Sequence, residues 1–323
     1  MSEAGTPTHR LSLERIARAA AVIDPVFLDS PQYRAERLEG LLGCRLVIKV
    51  ETQNPIRSFK GRGTECLTAT LDGRPDLVCA TAGNFGQGMA WSARKRAMPL
   101  TIFAARTANP MKVERMRALG GDVHLVGEDA DAAWEAARAF AEERGARLVV
   151  DGRDVAISEG AGTIGLELLR WPEPFDTIVV PVGDGALLSG VARWAKAHRP
   201  ETRMIGVCAS GAPAMERSWR AGRVEEQGPT RTIADGIALR APFPEALADL
   251  TALVDDIVLV DDRALITAMR HAHEALGLVL EPAGAAGLAA LLDAGERFRG
   301  QTVGTVLTGG NITFRQMREW LAA

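Results

Sequence analysis

Short runs of β-branched and apolar residues alternate along this chain with stretches in which apolar positions recur every three or four residues. The runs RLVIKVE (45–51), DLVCATAG (76–83), LTIFAA (100–105), DVHLVG (122–127), RLVVD (147–151), TIVVPVG (177–183), RMIGVCA (203–209), DIVLVDD (256–262) and TVGTVLTGG (302–310) read as strands. Helical patterns lie between most of them. In DAAWEAARAFAEERG (131–145) the apolar stripe ends at Gly145, a residue suited to a helix C-cap. Strand, helix and strand in series predict parallel sheets with right-handed crossovers and helices on both faces, an α/β fold. No repeat, low-complexity tract or long linker interrupts the series.

Composition changes this picture little. A length of 323 residues allows one large domain or two lobes. With 47% hydrophobic and 24% charged residues, the chain is of ordinary soluble globular type. Its net charge of −3, with both signs interspersed, leaves no footprint for nucleic acid or an anionic membrane. No apolar run approaches the ~20 residues that span a bilayer. The N-terminal MSEAGTPTHRLSLERIARAA lacks the basic-then-apolar plan of a signal peptide. Cys44, Cys66, Cys79 and Cys208 are scattered without a CxxC pair, so the expectation is a reduced, cytoplasmic protein with buried thiols.

Candidate chemistry comes from glycine-rich turns after strands and from one lysine. In parallel sheets ligands bind beyond the carboxyl ends of the strands, where TAGNFGQG, VGDGALLSG and LTGGN fall. PVGDGALLSGVARWAK (181–196) reads as strand, turn and helix, either a tight connection or a phosphate cradle of backbone amides at a helix N-terminus. Its Asp184 must point away from a phosphate or cap the helix. Asn84 is either a turn residue or an amide aimed at a ligand, and Thr308 either caps the next helix or meets a cofactor nitrogen. The chain has only five lysines against 33 arginines. Lys95, Lys112 and Lys196 fall on polar helix faces, and Lys49 reads as a strand-edge residue whose amine reaches solvent. Lys60, in NPIRSFKGRG (54–63), lies between Arg57 and Arg62, which either face water or lower its pKa so that the amine can attack a carbonyl. A phosphate cradle, a deprotonable lysine, a ring-facing amide and a strand-end hydroxyl together describe one cofactor, pyridoxal 5′-phosphate.

SFKGRG, AGNFGQG, GAGTIGLEL, PVGDGALLSG, ADGIAL, EPAGAAGLAAL and LTGGN occur in the order found in the fold-type II pyridoxal-phosphate enzymes. The chain resembles their threonine/serine dehydratase and serine racemase branch from about residue 20 to its C-terminus. The resemblance implies a tryptophan synthase β-like fold of two lobes, each with a mainly parallel sheet flanked by helices. Residues 1–51 and 149–323 would form the large cofactor-binding lobe, and 52–148 a small mobile lobe closing over the substrate. It implies a Schiff base between Lys60 and the cofactor, with Phe59 supporting the ring and Asn84 bonding its 3′-oxygen. Gly183, Asp184, Gly185, Ala186 and Leu187 would hold the phosphate, Gly236 and Glu281 would lie near the ring, and Thr308 would face the pyridine nitrogen. Thr81, Ala82, Gly83, Asn84 and Phe85 would receive the substrate carboxylate. The expected protein is a cytoplasmic homodimer of amino acid metabolism, acting on a small amino acid.

The departures from the family pattern carry their own expectations. The usual Ser-Ser-Gly-Asn-His reads Thr81 to Phe85 here, and Ala82 has no proton to give where racemases carry a second serine. Phe85 brings an apolar ring to the site. Asp184 and Ala186 stand where close relatives have glycines. Cys208 stands where relatives carry a cation-binding glutamate, so no metal is expected. The activity implied is α,β-elimination from a β-hydroxy amino acid such as threonine or serine, giving a 2-oxo acid and ammonia. The alternatives are β-replacement of the cysteine synthase kind, or elimination from a larger 3-substituted serine or from diaminopropionate. Because of Cys208, EDTA should leave both activity and melting temperature unchanged; a loss restored by Mg²⁺ or Ca²⁺ would show that other oxygen ligands hold a cation.

Overall fold

The structure, a computed structural model, describes residues 9–322. Residues 1–8, part of the segment read for a signal peptide and of the large lobe's first stretch, lie outside the described residues, as does residue 323. Ten strands form two sheets. They are β1 (Gln32–Arg34), β2 (Arg45–Val50), β3 (Leu77–Ala80), β4 (Leu100–Ala104), β5 (Asp122–Leu125), β6 (Arg147–Leu148), β7 (Thr177–Pro181), β8 (Arg203–Ala209), β9 (Asp256–Val260) and β10 (Thr302–Leu307). The larger sheet runs β1-β2-β10-β7-β8-β9 and the smaller β5-β4-β3-β6. Every pairing is parallel except β1 with β2. All nine strands expected from the apolar runs form, and β1 is the addition. It is a three-residue edge strand with mostly exposed side chains, too short and polar to show a period.

The helices close over both sheets as the 3.6-residue pattern requires. Ala130–Arg144 ends at Gly145 with φ +66°, the left-handed C-cap its sequence predicts. Lys60–Thr70 packs on Val155–Leu168 so closely that side chains are excluded: a Cβ on Gly63 would stand 2.7 Å from the Ile157 carbonyl oxygen, and one on Gly160 2.5 Å from that of Arg62. Only glycines permit this backbone approach. The segment before Lys60 is tied down too. Asn54 accepts from the amides of Ile56 and Ser58 and donates to the carbonyls of Glu51 and Ser58. Phe59 N–H donates to Thr308 O (3.0 Å) and Gly310 N–H to Arg57 O (3.0 Å), so Lys60 starts its helix against the end of β10. Arg57 has φ +52°, a strained conformation for a residue with a side chain, held by these bonds.

The cations around Lys60 are arranged differently from the sequence expectation. Arg62 is fully buried and directed away from Lys60, bonded to Glu51 (2.8 Å) and Glu167 (2.6 Å). Lys49 does not reach solvent, because β2 is an interior strand: its amine lies 2.5 Å from Glu167 and 2.7 Å from Ser30 O. Burial alone would raise the Glu167 carboxyl, but hydrogen bonds and charge from Arg62, together with Lys49, hold it at about 2. Breaking one partner of a buried ion pair costs about 3–5 kcal/mol, so Glu167→Gln should lower unfolding free energy on that scale at neutral pH. A carboxyl with its folded value depressed stabilises above its ordinary 4.5, and that stability is lost as pH falls toward about 2. Urea titrations across this range should show the wild type losing stability more steeply than Glu167→Gln; parallel pH curves would remove Glu167 from the acid response.

Candidate functional site

A cavity of about 320 Å³ opens at the carboxyl ends of β7 and β10, between the two sheets. After β7, the turn Gly183-Asp184-Gly185 leads into the helix Ala186–His198, with Gly185 at φ +99°. Among the described residues the amides of Gly183, Asp184, Gly185 and Leu187 donate to no protein acceptor. A cluster of free amides at the N-terminus of a 13-residue helix is an anion cradle. Gly183, Asp184, Gly185 and Leu187 line the cavity; Ala186 does not, and its amide is taken by Asp184 Oδ1 at 2.9 Å. Asp184 thus caps the helix, one of its two expected orientations, while its other oxygen turns to Lys60. The Thr81–Phe85 turn forms the opposite rim and opens the helix Asn84–Lys95, with the amides of Ala82, Asn84 and Phe85 likewise unpaired among the described residues.

Lys60 stands at the centre. Its amine is 2.5 Å from Asp151 Oδ2, 3.1 Å from Asp184 Oδ2 and 4.7 Å from the centre of the Phe59 ring. The expectation that Arg57 and Arg62 press on this amine is overturned. Arg62 is neutralised elsewhere, and Arg57 extends beside Gly310. Burial would lower the Lys60 pKa, but the charges of Asp151 and Asp184 outweigh it and raise it. Asp151 is pushed up to about 7, first by burial and then by the charge of Asp184, against the pull of Lys60. Asp184 moves the other way: burial raises it, yet Lys60 and the Ala186 amide hold it below the usual carboxylate range.

A second charged group closes the far end. Glu281 is buried, accepts from the Asn84 side-chain amide and from Asn311 N–H (3.3 Å), and lies 3.7 Å from the Lys112 amine. Burial raises its pKa first and the charge of Asp235 adds to it, while Lys112 opposes them. Lys112 is not on a solvated helix face as expected: it is 2% exposed and paired to Asp235 at 2.7 Å. Gly236 follows in the same Asp235–Ile237 turn. Thr308 is buried at the cavity wall, its hydroxyl 3.5 Å from Ala283 O, and does not cap the next helix, since Thr313 does. Phe85 lines the cavity and also packs among Met89 and Met116.

Every expected site residue except Ala186 therefore borders one cavity. Asp151, Lys112 and Asp235 border it as well, and Asn311 supports it by donating to Asn84 Oδ1 (2.9 Å). Sequence reading misses these four. Asp151 ends the strand-like run RLVVD at a carboxyl end, and Asp235 sits inside the quoted ADGIAL, signals that are present but carry no assignment. No cluster of potential metal ligands occurs among the described residues, and Cys208 is buried in β8 against Val182 O.

Comparison with known proteins bears on what this cavity holds. A family model described as pyridoxal-phosphate dependent enzyme matches residues 23–309. The chain is 35% identical to the L-threonine ammonia-lyase of Thermotoga maritima, over 94% of this chain and 76% of that protein. It is 34% identical to a serine racemase of Oryza sativa subsp. indica, over 93% and 91%. The solved structure of maize serine racemase superposes with a TM-score of 0.90 at 30% identity, covering 96% of each chain. A solved bacterial-type threonine deaminase, from T.th., gives a TM-score of 0.89 at 35% identity, covering 94% of this chain and 99% of that one.

Proposed function

The chain belongs to the pyridoxal-phosphate dependent enzymes, and from that premise we propose that it eliminates the β-hydroxyl of an amino acid such as threonine or serine, releasing a 2-oxo acid and ammonia. The observation that carries this reading is the Lys60 amine, buried beside a turn of free amides and within reach of two carboxylates. The donor set suits the cofactor. The amides of Gly183, Asp184, Gly185 and Leu187 would hold its phosphate, and Lys60 its carbonyl carbon. Phe59, Asn84, Gly236 and Glu281 would surround its ring, with the Thr308 hydroxyl at the ring nitrogen. When bound, the cofactor supplies an electron sink for the charge left at Cα.

The chain's own groups divide the remaining work. The free amides of the Thr81–Phe85 turn, at the positive end of a 12-residue helix, would orient the substrate carboxylate. The Lys60 amine would take the Cα proton, its position fixed by Asp151 and Asp184. A neutral hydroxyl at Thr308 gives the ring nitrogen no carboxylate to stabilise its protonation, which favours prompt loss of the β-substituent. Ala82 offers no acid on its side of the cavity, so the proposed enzyme eliminates without racemising. Residues 52–148 would act as the mobile lobe, with Lys112 joining Asp235 across the cavity. A homodimer in a reducing cytoplasm completes the proposal, supported by exposed Leu41 and Phe314 and by four free cysteines. No helix among the described residues is long and apolar enough to cross a membrane.

Borohydride treatment of the wild type should fix the cofactor on the peptide containing Lys60, and Lys60→Ala should lose elimination by several orders of magnitude; labelling at another lysine overturns the assignment. Chiral analysis of unreacted substrate should find a single enantiomer, and appearance of the other would refute the reading of Ala82. Where Phe85 lines the side-chain pocket, an aromatic β-substituent should gain on serine by about 1–3 kcal/mol in kcat/KM, and Phe85→His should reverse the preference. Equal ratios in both variants would confine Phe85 to packing.

A further inference from the structure

Three chain segments that are distant in sequence bring their side chains together at Lys60. Asp151 follows β6 of the smaller sheet, Asp184 follows β7 of the larger one, and Lys60 begins its own helix. Positioning an amine needs one carboxylate oxygen. Here Asp151 gives Oδ2 to the amine, while its Oδ1 is buried and takes no hydrogen bond among the described residues. A buried, unpaired carboxyl oxygen is costly unless it has a task. Asp151 lines the cavity beside Lys60, where a substrate would stand.

We propose that Asp151 is the general acid of the elimination, delivering a proton from Oδ1 to the departing β-hydroxyl and regaining one from Lys60 through Oδ2. This rests on the elimination reading given above. The Lys60 amine takes the Cα proton, and the C–H electron pair becomes the second Cα–Cβ bond. The Cβ–O pair leaves with oxygen, which collects the Asp151 proton and departs as water. The Asp151 carboxylate then takes a proton from the Lys60 ammonium, so both groups end as they began and nothing is oxidised or reduced.

Two carboxylates suit this better than one. Asp184, anchored on the Ala186 amide, remains ionised, and its charge favours the protonated form of Asp151. A pair of acids whose surroundings drive their proton affinities apart is the usual mark of an acid beside a fixed anion. The other titratable neighbour, the Cys79 thiol of β3, is pushed up by burial to about 12 and stays neutral.

The test compares leaving groups. Chloride departs from β-chloroalanine without a proton, whereas hydroxide needs one. In holoenzyme, Asp151→Asn should slow serine and threonine by about 10²–10⁴-fold, the usual weight of a general acid. It should slow β-chloroalanine far less, and Asp151→Glu should recover part of the loss. Cofactor binding by equilibrium dialysis and Cα–H exchange of alanine in D₂O should persist in Asp151→Asn, excluding misfolding and loss of Lys60. In cofactor-free protein the same variant should speed acylation of Lys60 near neutral pH, because the amine loses a carboxylate holding its proton. Equal losses for all three substrates, no loss for any, or an unchanged acylation profile would overturn the proposal. A wild type that eliminates no β-substituted amino acid would instead overturn the elimination reading.

Discussion

A guanidinium taken wholly out of water must be met by opposite charge, and Arg62 is met from two sides. Glu51 stands just beyond β2 of the larger sheet, and Glu167 lies on the helix Val155–Leu168. This pairing fixes how the helix Lys60–Thr70 rotates about its axis. With Arg62 turned toward the sheet, Lys60, two residues earlier and roughly 200° around the helix, is directed to the other side, into the cavity. The Gly63–Gly160 contact then sets how closely the helix approaches, and the bonds from Phe59 and Gly310 pin its first turn to β10. Lys49 adds a second buried cation on Glu167, so the network joins strand, helix and lysine-bearing segment in one rigid unit.

The same arrangement decides the electrostatics at the cavity. Lys60 owes nothing to its neighbouring arginines; its proton is held by carboxylates that arrive from elsewhere in the fold. Around the cavity the ammonium groups of Lys60 and Lys112 face Asp151, Asp184, Asp235 and Glu281, and the lining has no arginine among the described residues. Side-chain charge therefore cannot be what attracts an anionic ligand. The free amides after β7 and at the start of the helix Asn84–Lys95 can, since backbone dipoles bind anions without adding titratable groups. The site thus separates anchoring, done by backbone, from proton handling, done by side chains.

Much of this is legible in sequence because it is local. Nine strands announce themselves as apolar runs, and the glycine-rich turns follow them at the carboxyl ends where parallel sheets bind ligands. Gly145 caps its helix as its position foretells. The errors all concern where a charge finds its partner. Arg57 and Arg62 are close to Lys60 along the chain, yet helix rotation separates Arg62 from it. Lys49 reads as an edge residue because nothing local indicates that the short β1 covers that flank, or that Glu167, more than a hundred residues later, pairs with it. Asp151 escapes notice for the same reason. Its significance arises only when two sheets meet, and no periodicity encodes that meeting.

The departures from the family pattern form one physical theme once their places are known. The rim at Thr81–Phe85 presents a methyl group at Ala82 and a phenyl ring at Phe85, neither able to exchange a proton, and Phe85 is anchored among the methionines of the smaller sheet. On the Lys60 side the cavity gathers acids instead, Asp151 and Asp184, each bonded to the amine. Proton transfer in the proposed reaction is thereby confined to one cluster, whose members sit within hydrogen-bond reach of Lys60. Reprotonation at Cα needs an acid apart from Lys60, whereas loss of a β-hydroxyl needs one that Lys60 can recharge. A cavity that is apolar at Ala82 and acidic at Asp151 meets the second requirement and not the first, which separates elimination from racemisation on a shared scaffold.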